Sequence, residues 1–158
     1  MFVKTNKNIL VNLSNVSNVN IVKKKEQNFY RIIFNMNYCI EISKNKFVSD
    51  YVYWDFTNIE SFKDAFLKIK SDEYLANTFL KQPKNSGFIN IDEISSIKYL
   101  EDKLRIIFNL SHPVTFNYHG ETKLTSEFIY LNFNNIEDFK EYSTYIDEEL
   151  KSFETYII

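Results

Sequence analysis

Apolar and polar residues alternate along residues 51–56. Val52, Trp54 and Phe56 fall on one side and Tyr51, Tyr53 and Asp55 on the other, which predicts a strand. The period then lengthens to about 3.6. Ile59, Phe62, Phe66 and Ile69 form one apolar stripe, predicting an amphipathic helix laid on a sheet. Thr57 with Glu60 three residues on has the spacing of a capping box, so the helix is expected to begin there.

Residues 128–141 (FIYLNFNNIEDFKE) align without a gap on residues 51–64 (YVYWDFTNIESFKD), 77 positions earlier, with seven of fourteen positions identical. Asn134 with Glu137 repeats the cap spacing, and Ile136, Phe139, Tyr142, Ile146, Leu150 and Phe153 repeat the stripe. Upstream, Val11-Asn12-Leu13 with Val16 and Val19 matches Ile89-Asn90-Ile91 with Ile94 and Ile97 at an offset of 78. Arg31-Ile32-Ile33-Phe34-Asn35 recurs identically at residues 105–109, at an offset of 74. The four-residue difference is expected in the turn, Lys23-Lys24-Lys25-Glu26-Gln27-Asn28 in the first copy and only Glu101-Asp102-Lys103 in the second, because loops absorb length changes more readily than strands. The expected fold is α+β: a tandem, pseudo-twofold repeat of a four- to five-stranded antiparallel sheet followed by one helix. The units are residues 1–71 and 87–158, joined by residues 72–86.

A unit of about 75 residues is close to the size that folds only marginally alone, so two units sharing a core are expected within these 158 residues. No apolar run approaches the length of a membrane span, and no charged leader precedes an apolar stretch. Cys39 is the only cysteine, which excludes an intrachain disulfide and suits a reducing, cytoplasmic setting. The commonest residues, Asn, Ile, Lys, Phe and Tyr, all have codons rich in A and T. That bias points to a low-GC bacterial or phage source and carries no mechanism.

The net charge of −2 hides an asymmetry. Up to Pro83 there are 12 Lys and Arg against 8 Asp and Glu; from Lys84 onward there are 7 against 13. Opposite-signed halves can attract each other, stack molecules head to tail, or meet different partners. Glu137, Asp138, Glu141, Asp147, Glu148 and Glu149 give the last helix an acidic face.

Committed chemistry is absent from the motifs. Lys23–Lys25 reads as a soluble hairpin tip and Cys39 as a small buried hydrophobe. His112 and His119 are seven apart, which places them on opposite faces of a strand and makes no metal-ligand pattern. Gly87 and Gly120 stand alone, so no glycine loop cradles phosphate. The expectation is therefore no enzyme, no cofactor and no metal.

The sheet face away from the helix is more informative. Arg31, Tyr51 and Tyr53 share it in the first unit, and Arg105, Phe128 and Tyr130 in the second. Arginine beside aromatics suits stacking on a base, a peptide group or a carboxylate. Asp55 is placed to neutralise Arg31, whereas the matching residue beside Arg105 is Asn132. In order of strands and helix the chain resembles the tandem single-strand-binding folds of the Pur-alpha and Whirly kind. That resemblance is one of topology and brings no site residue. The leading expectation is a binding module for a protein partner, a phage or mobile-element inhibitor or adaptor, using this face and the acidic helix. A single-stranded nucleic-acid binder and a nucleotide site between the units are the alternatives. The chain is expected to be a pseudo-symmetric monomer or a homodimer.

Overall fold

Where the hydrophobic period is 2 the chain is extended, and where it is 3.6 it is helical. The computed structural model describes residues 2–5 and 8–151. Along those residues run β1 (Phe2–Lys4), β2 (Leu10–Asn12), β3 (Val16–Lys24), β4 (Phe29–Ser43), β5 (Lys46–Phe56), α1 (Ile59–Lys70) and α2 (Glu73–Thr78). Then come β6 (Phe79–Lys81), β7 (Gly87–Asn90), β8 (Ile94–Leu100), β9 (Arg105–Tyr118), β10 (Glu121–Asn132) and α3 (Ile136–Leu150). The fold is α+β and mostly strand, with every pairing antiparallel.

The strands divide into a five-stranded sheet ordered β5-β4-β3-β7-β6, a three-stranded sheet ordered β10-β9-β8, and the β1–β2 pair. Alternation decides which face is buried. Tyr30, Ile32, Phe34 and Met36 of β4 join Trp54 and Phe56 of β5 in one core, beneath Phe62, Ala65 and Ile69 of α1. A second core holds Ile106, Phe108, Leu110 and Leu131 beneath Phe139, Tyr142 and Ile146 of α3. Ile59, read as part of the first stripe, is exposed at the helix start, and Phe153 lies outside the described residues.

The segment expected to be a plain connection, residues 72–86, holds α2 and β6. With β7, β6 forms a hairpin that serves both cores. Phe79 and Phe88 enter the first and Leu80 and Ile89 enter the second. This follows from the pleat, since neighbouring residues of a strand point to opposite faces.

Two local expectations are corrected. The helix caps lie one residue later than the capping-box spacing indicated. Asn58, in extended conformation, accepts from the amides of Glu60 and Ser61, and Asn135 accepts from that of Asp138. Asparagine's short side chain reaches back to these amides from its own position, and Thr57 and Asn134 are left as the residues before the cap. The length difference between the halves is not in the turn after Lys24 either. Both β3–β4 and β8–β9 are joined by a three-residue 3-10 turn and one left-handed residue, Asn28 or Leu104. The extra residues lengthen the ladder itself: Lys23 pairs with Tyr30 and Lys24 with Phe29, beyond the Val22–Arg31 pair that corresponds to Leu100–Arg105. Two residues added to each strand keep every side chain on its face, which a single residue would not.

Candidate functional site

Arg31 sits opposite Asp55 in the β4–β5 ladder, and Arg105 sits opposite Asn132 in β9–β10. Arg31 donates from Nε to Asp55 Oδ1 at 2.6 Å and from Nη2 to Oδ2 at 2.9 Å. This bidentate bond raises the arginine's pKa further, against an opposing effect of burial. The same guanidinium lies 4.0 Å from the Tyr53 ring centre, and Tyr51 stacks on Tyr53 at 4.4 Å. The Tyr53 hydroxyl is held above its ordinary pKa, first by a hydrogen bond with Tyr51 and then by desolvation.

The second ladder has the same layout with a different charge. Phe128 stacks on Tyr130 at 4.7 Å, Arg105 lies 5.1 Å from the Tyr130 ring, and Arg105 Nε donates to Asn132 Oδ1 at 2.7 Å. An amide leaves the positive charge in place. Among the described residues no carboxylate pairs with Arg105. Tyr51 and Tyr130, one on each of the two outer faces, are both exposed.

Beside the second ladder a groove of about 620 Å³ runs between the turn at residues 83–86 and the first turns of α3. Tyr130, Tyr142, Tyr145, Asp138, Glu141 and Lys84 are among the residues that line it. The hydroxyls of Tyr142 and Tyr145 are occupied by the backbone of β6. Tyr142 donates to Lys81 O at 2.6 Å, and the Lys81 amide donates to Tyr145 at 2.9 Å. Burial raises the pKa of both phenols. The six acidic residues of α3 are all exposed, and two of them, Asp138 and Glu141, meet Tyr130 here. The remaining four, Glu137, Asp147, Glu148 and Glu149, do not line the groove.

One cluster was not foreseen. The outer parts of β4–β5 and β9–β10 lie against each other, and the Thr115 hydroxyl accepts from the Phe47 amide at 2.9 Å and donates to Phe47 O at 3.0 Å. Next to it Ser49 Oγ lies 2.7 Å from His112 Nε2 and donates to Glu127 Oε2 at 2.9 Å. With the Ser49 hydroxyl hydrogen directed at Glu127, Ser49 Oγ is left to accept from His112 in its Nε2–H tautomer, and among the described residues the buried Nδ1 has no partner. Burial holds the imidazole below its ordinary pKa, with Glu127 and Glu93 opposing. A serine activated by histidine needs the acid behind the ring; here the acid bonds the serine.

Cys39 is half-buried opposite Ser49, and His119 lies in the β9–β10 turn. Among the described residues no three His, Cys, Asp or Glu side chains converge as metal ligands, and no helix is long and apolar enough to cross a membrane. Comparison with protein-family models, curated proteins and solved structures gives no match.

Proposed function

We propose that the chain is a tandem duplication, units 1–71 and 87–158 joined by 72–86 and related by a pseudo-twofold, and that it is a non-catalytic module binding a protein segment rich in lysine or arginine. The duplication is supported by matched detail. Ser17 and Ser95 each form a bulge and donate to the carbonyl of Asn35 or Asn109. Asn12 and Asn90 each cap a short 3-10 turn.

The groove carries the functional reading. Three tyrosines and two acidic residues lining one space form a receptor for a cationic side chain, through cation–π attraction and charge. Arg105 and Tyr130, on the adjoining face, offer a stacking and donor surface to the neighbouring peptide groups. Phosphate suits the groove poorly, because Asp138 and Glu141 repel it. Arg31 is already neutralised, which weakens the single-strand-binding alternative. The bond of Glu127 to Ser49 rather than to the ring of His112 is what supports the non-catalytic reading. An origin as a phage or mobile-element adaptor rests on codon bias.

The test is fluorescence anisotropy with labelled peptides carrying Lys or Arg beside apolar residues, and with labelled single-stranded DNA, at low and moderate salt. The expected result is peptide binding that weakens at least about tenfold in Glu141→Lys and in Arg105→Ala, with thermal midpoints unchanged. Tighter binding of the oligonucleotide, or peptide binding indifferent to both substitutions, overturns the reading.

A further inference from the structure

The β6–β7 hairpin has a counterpart in β1–β2. Phe2-Val3-Lys4 stands where Phe79-Leu80-Lys81 stands in the other half. Their pairing agrees as well: Phe2, Val3 and Lys4 oppose Asn12, Val11 and Leu10, and Phe79, Leu80 and Lys81 oppose Asn90, Ile89 and Phe88. The loops close alike, the Thr5 amide on Ile9 O and the Gln82 amide on Gly87 O, both at 2.9 Å.

Their surroundings differ. Each hairpin turns one face into the core of the strands that follow it: Val3 and Val11 in the first half, Leu80 and Ile89 in the second. The other face of β6–β7 is buried too, because β7 pairs with β3, and the hairpin so places Phe79 of β6 and Phe88 of β7, 3% and 2% exposed, in the preceding core. The matching residues of β1–β2 are Phe2 and Leu10, 63% and 61% exposed. Correspondingly β8, the counterpart of β3, has β9 on one side and, among the described residues, is otherwise an edge strand. The chain thus presents an apolar hairpin at one end and a sheet edge of matching kind at the other, and has filled the same kind of junction once internally.

We propose that β1–β2 of one molecule adds to the β8 edge of a second copy of this chain, extending its three-stranded sheet to the five-strand pattern seen in the first half. By correspondence with Asn18–Ile89 and Val19–Phe88, Val11 falls opposite Ser96 and Leu10 opposite Ile97. Phe2 and Leu10 then cover the flank of the second core. The charge distribution favours this orientation, since a net-positive first half meets a net-negative second half. The contact is head-to-tail, so each added molecule leaves a new edge and assembly continues past the dimer.

One position distinguishes this contact from the internal junction. A Cβ on Gly87 would stand 2.0 Å from Val19 O, so β7 approaches β3 there as only glycine allows. The hairpin between molecules has Ile9 at that point. Its ladder ends one pair early, which makes the association weaker and reversible.

Sedimentation of the full chain over a wide concentration range tests this. The expected result is reversible growth beyond a dimer as concentration rises. Leu10→Asp should weaken association at least about tenfold without lowering the thermal midpoint, because it places a charge in the contact. Ile9→Gly should tighten it at least about tenfold by restoring the third pair. Four results overturn the proposal: monomers throughout for both the unmodified chain and Ile9→Gly, a dimer that never grows, association indifferent to Leu10→Asp, or association only after removal of residues 152–158. The last would mean that the chain's own tail occupies the edge.

Discussion

His112 is the residue whose burial has the clearest consequence for stability. Its imidazole is neutral by preference in the fold, because desolvation holds the pKa below the value of about 6.5 expected in the unfolded chain. As pH falls through about 6.5 the unfolded chain therefore takes up the proton first. The stabilisation is complete above that value and declines below it until the folded pKa is passed. One proton sets the limit at about 1.4 kcal/mol per pH unit. Denaturant titrations at pH 7.5, 6.5 and 5.5 should show the unmodified chain losing stability relative to His112→Gln across that range. Parallel curves would mean that the ring is protonated equally in both states. The Arg31–Asp55 pair could be read in the sequence because both residues lie on the same predicted sheet face. The Ser49–His112–Glu127 cluster could not, because it depends on the approach of two hairpin arms whose residues are 63 and 78 positions apart.

At the scale of elements, the long strands and both long helices were visible as changes of period, since each must bury one face. Short elements were not. Three residues, Phe79-Leu80-Lys81, carry too little alternation to announce a strand; β6 exists because β7 is there to pair with it. The helix starts were misplaced by one residue because Thr57–Glu60 and Asn134–Glu137 match the capping-box spacing while an asparagine stands next in line. The distinction is measurable. Asn58→Ala and Asn135→Ala should each cost about 1 kcal/mol in denaturant unfolding, with Thr57→Ala near zero. The reverse ranking would restore the capping box.

For the molecule as a whole, the twin cores are tied by one hairpin that contributes to both. Removing part of Leu80, fully buried in the second core, should therefore be felt in the first. Leu80→Ala is expected to cost about 2–5 kcal/mol and to shift a single transition followed by Trp54 fluorescence, although Trp54 lies in the first core. Two separate transitions, with the tryptophan signal unmoved, would show the cores to be independent.

The shared hairpin also separates the boundary between the two similar stretches of sequence from the seam of folding. Scissors applied near residue 71 would strip both Phe79 and Phe88 from the first core, and near residue 86 would strip Phe88; either cut would bare the β3 edge, whereas a fragment ending after Asn90 would carry that core intact. Whoever divides this polypeptide to ask what each half does must cut beyond β7, and must accept that only the first core can survive the operation whole.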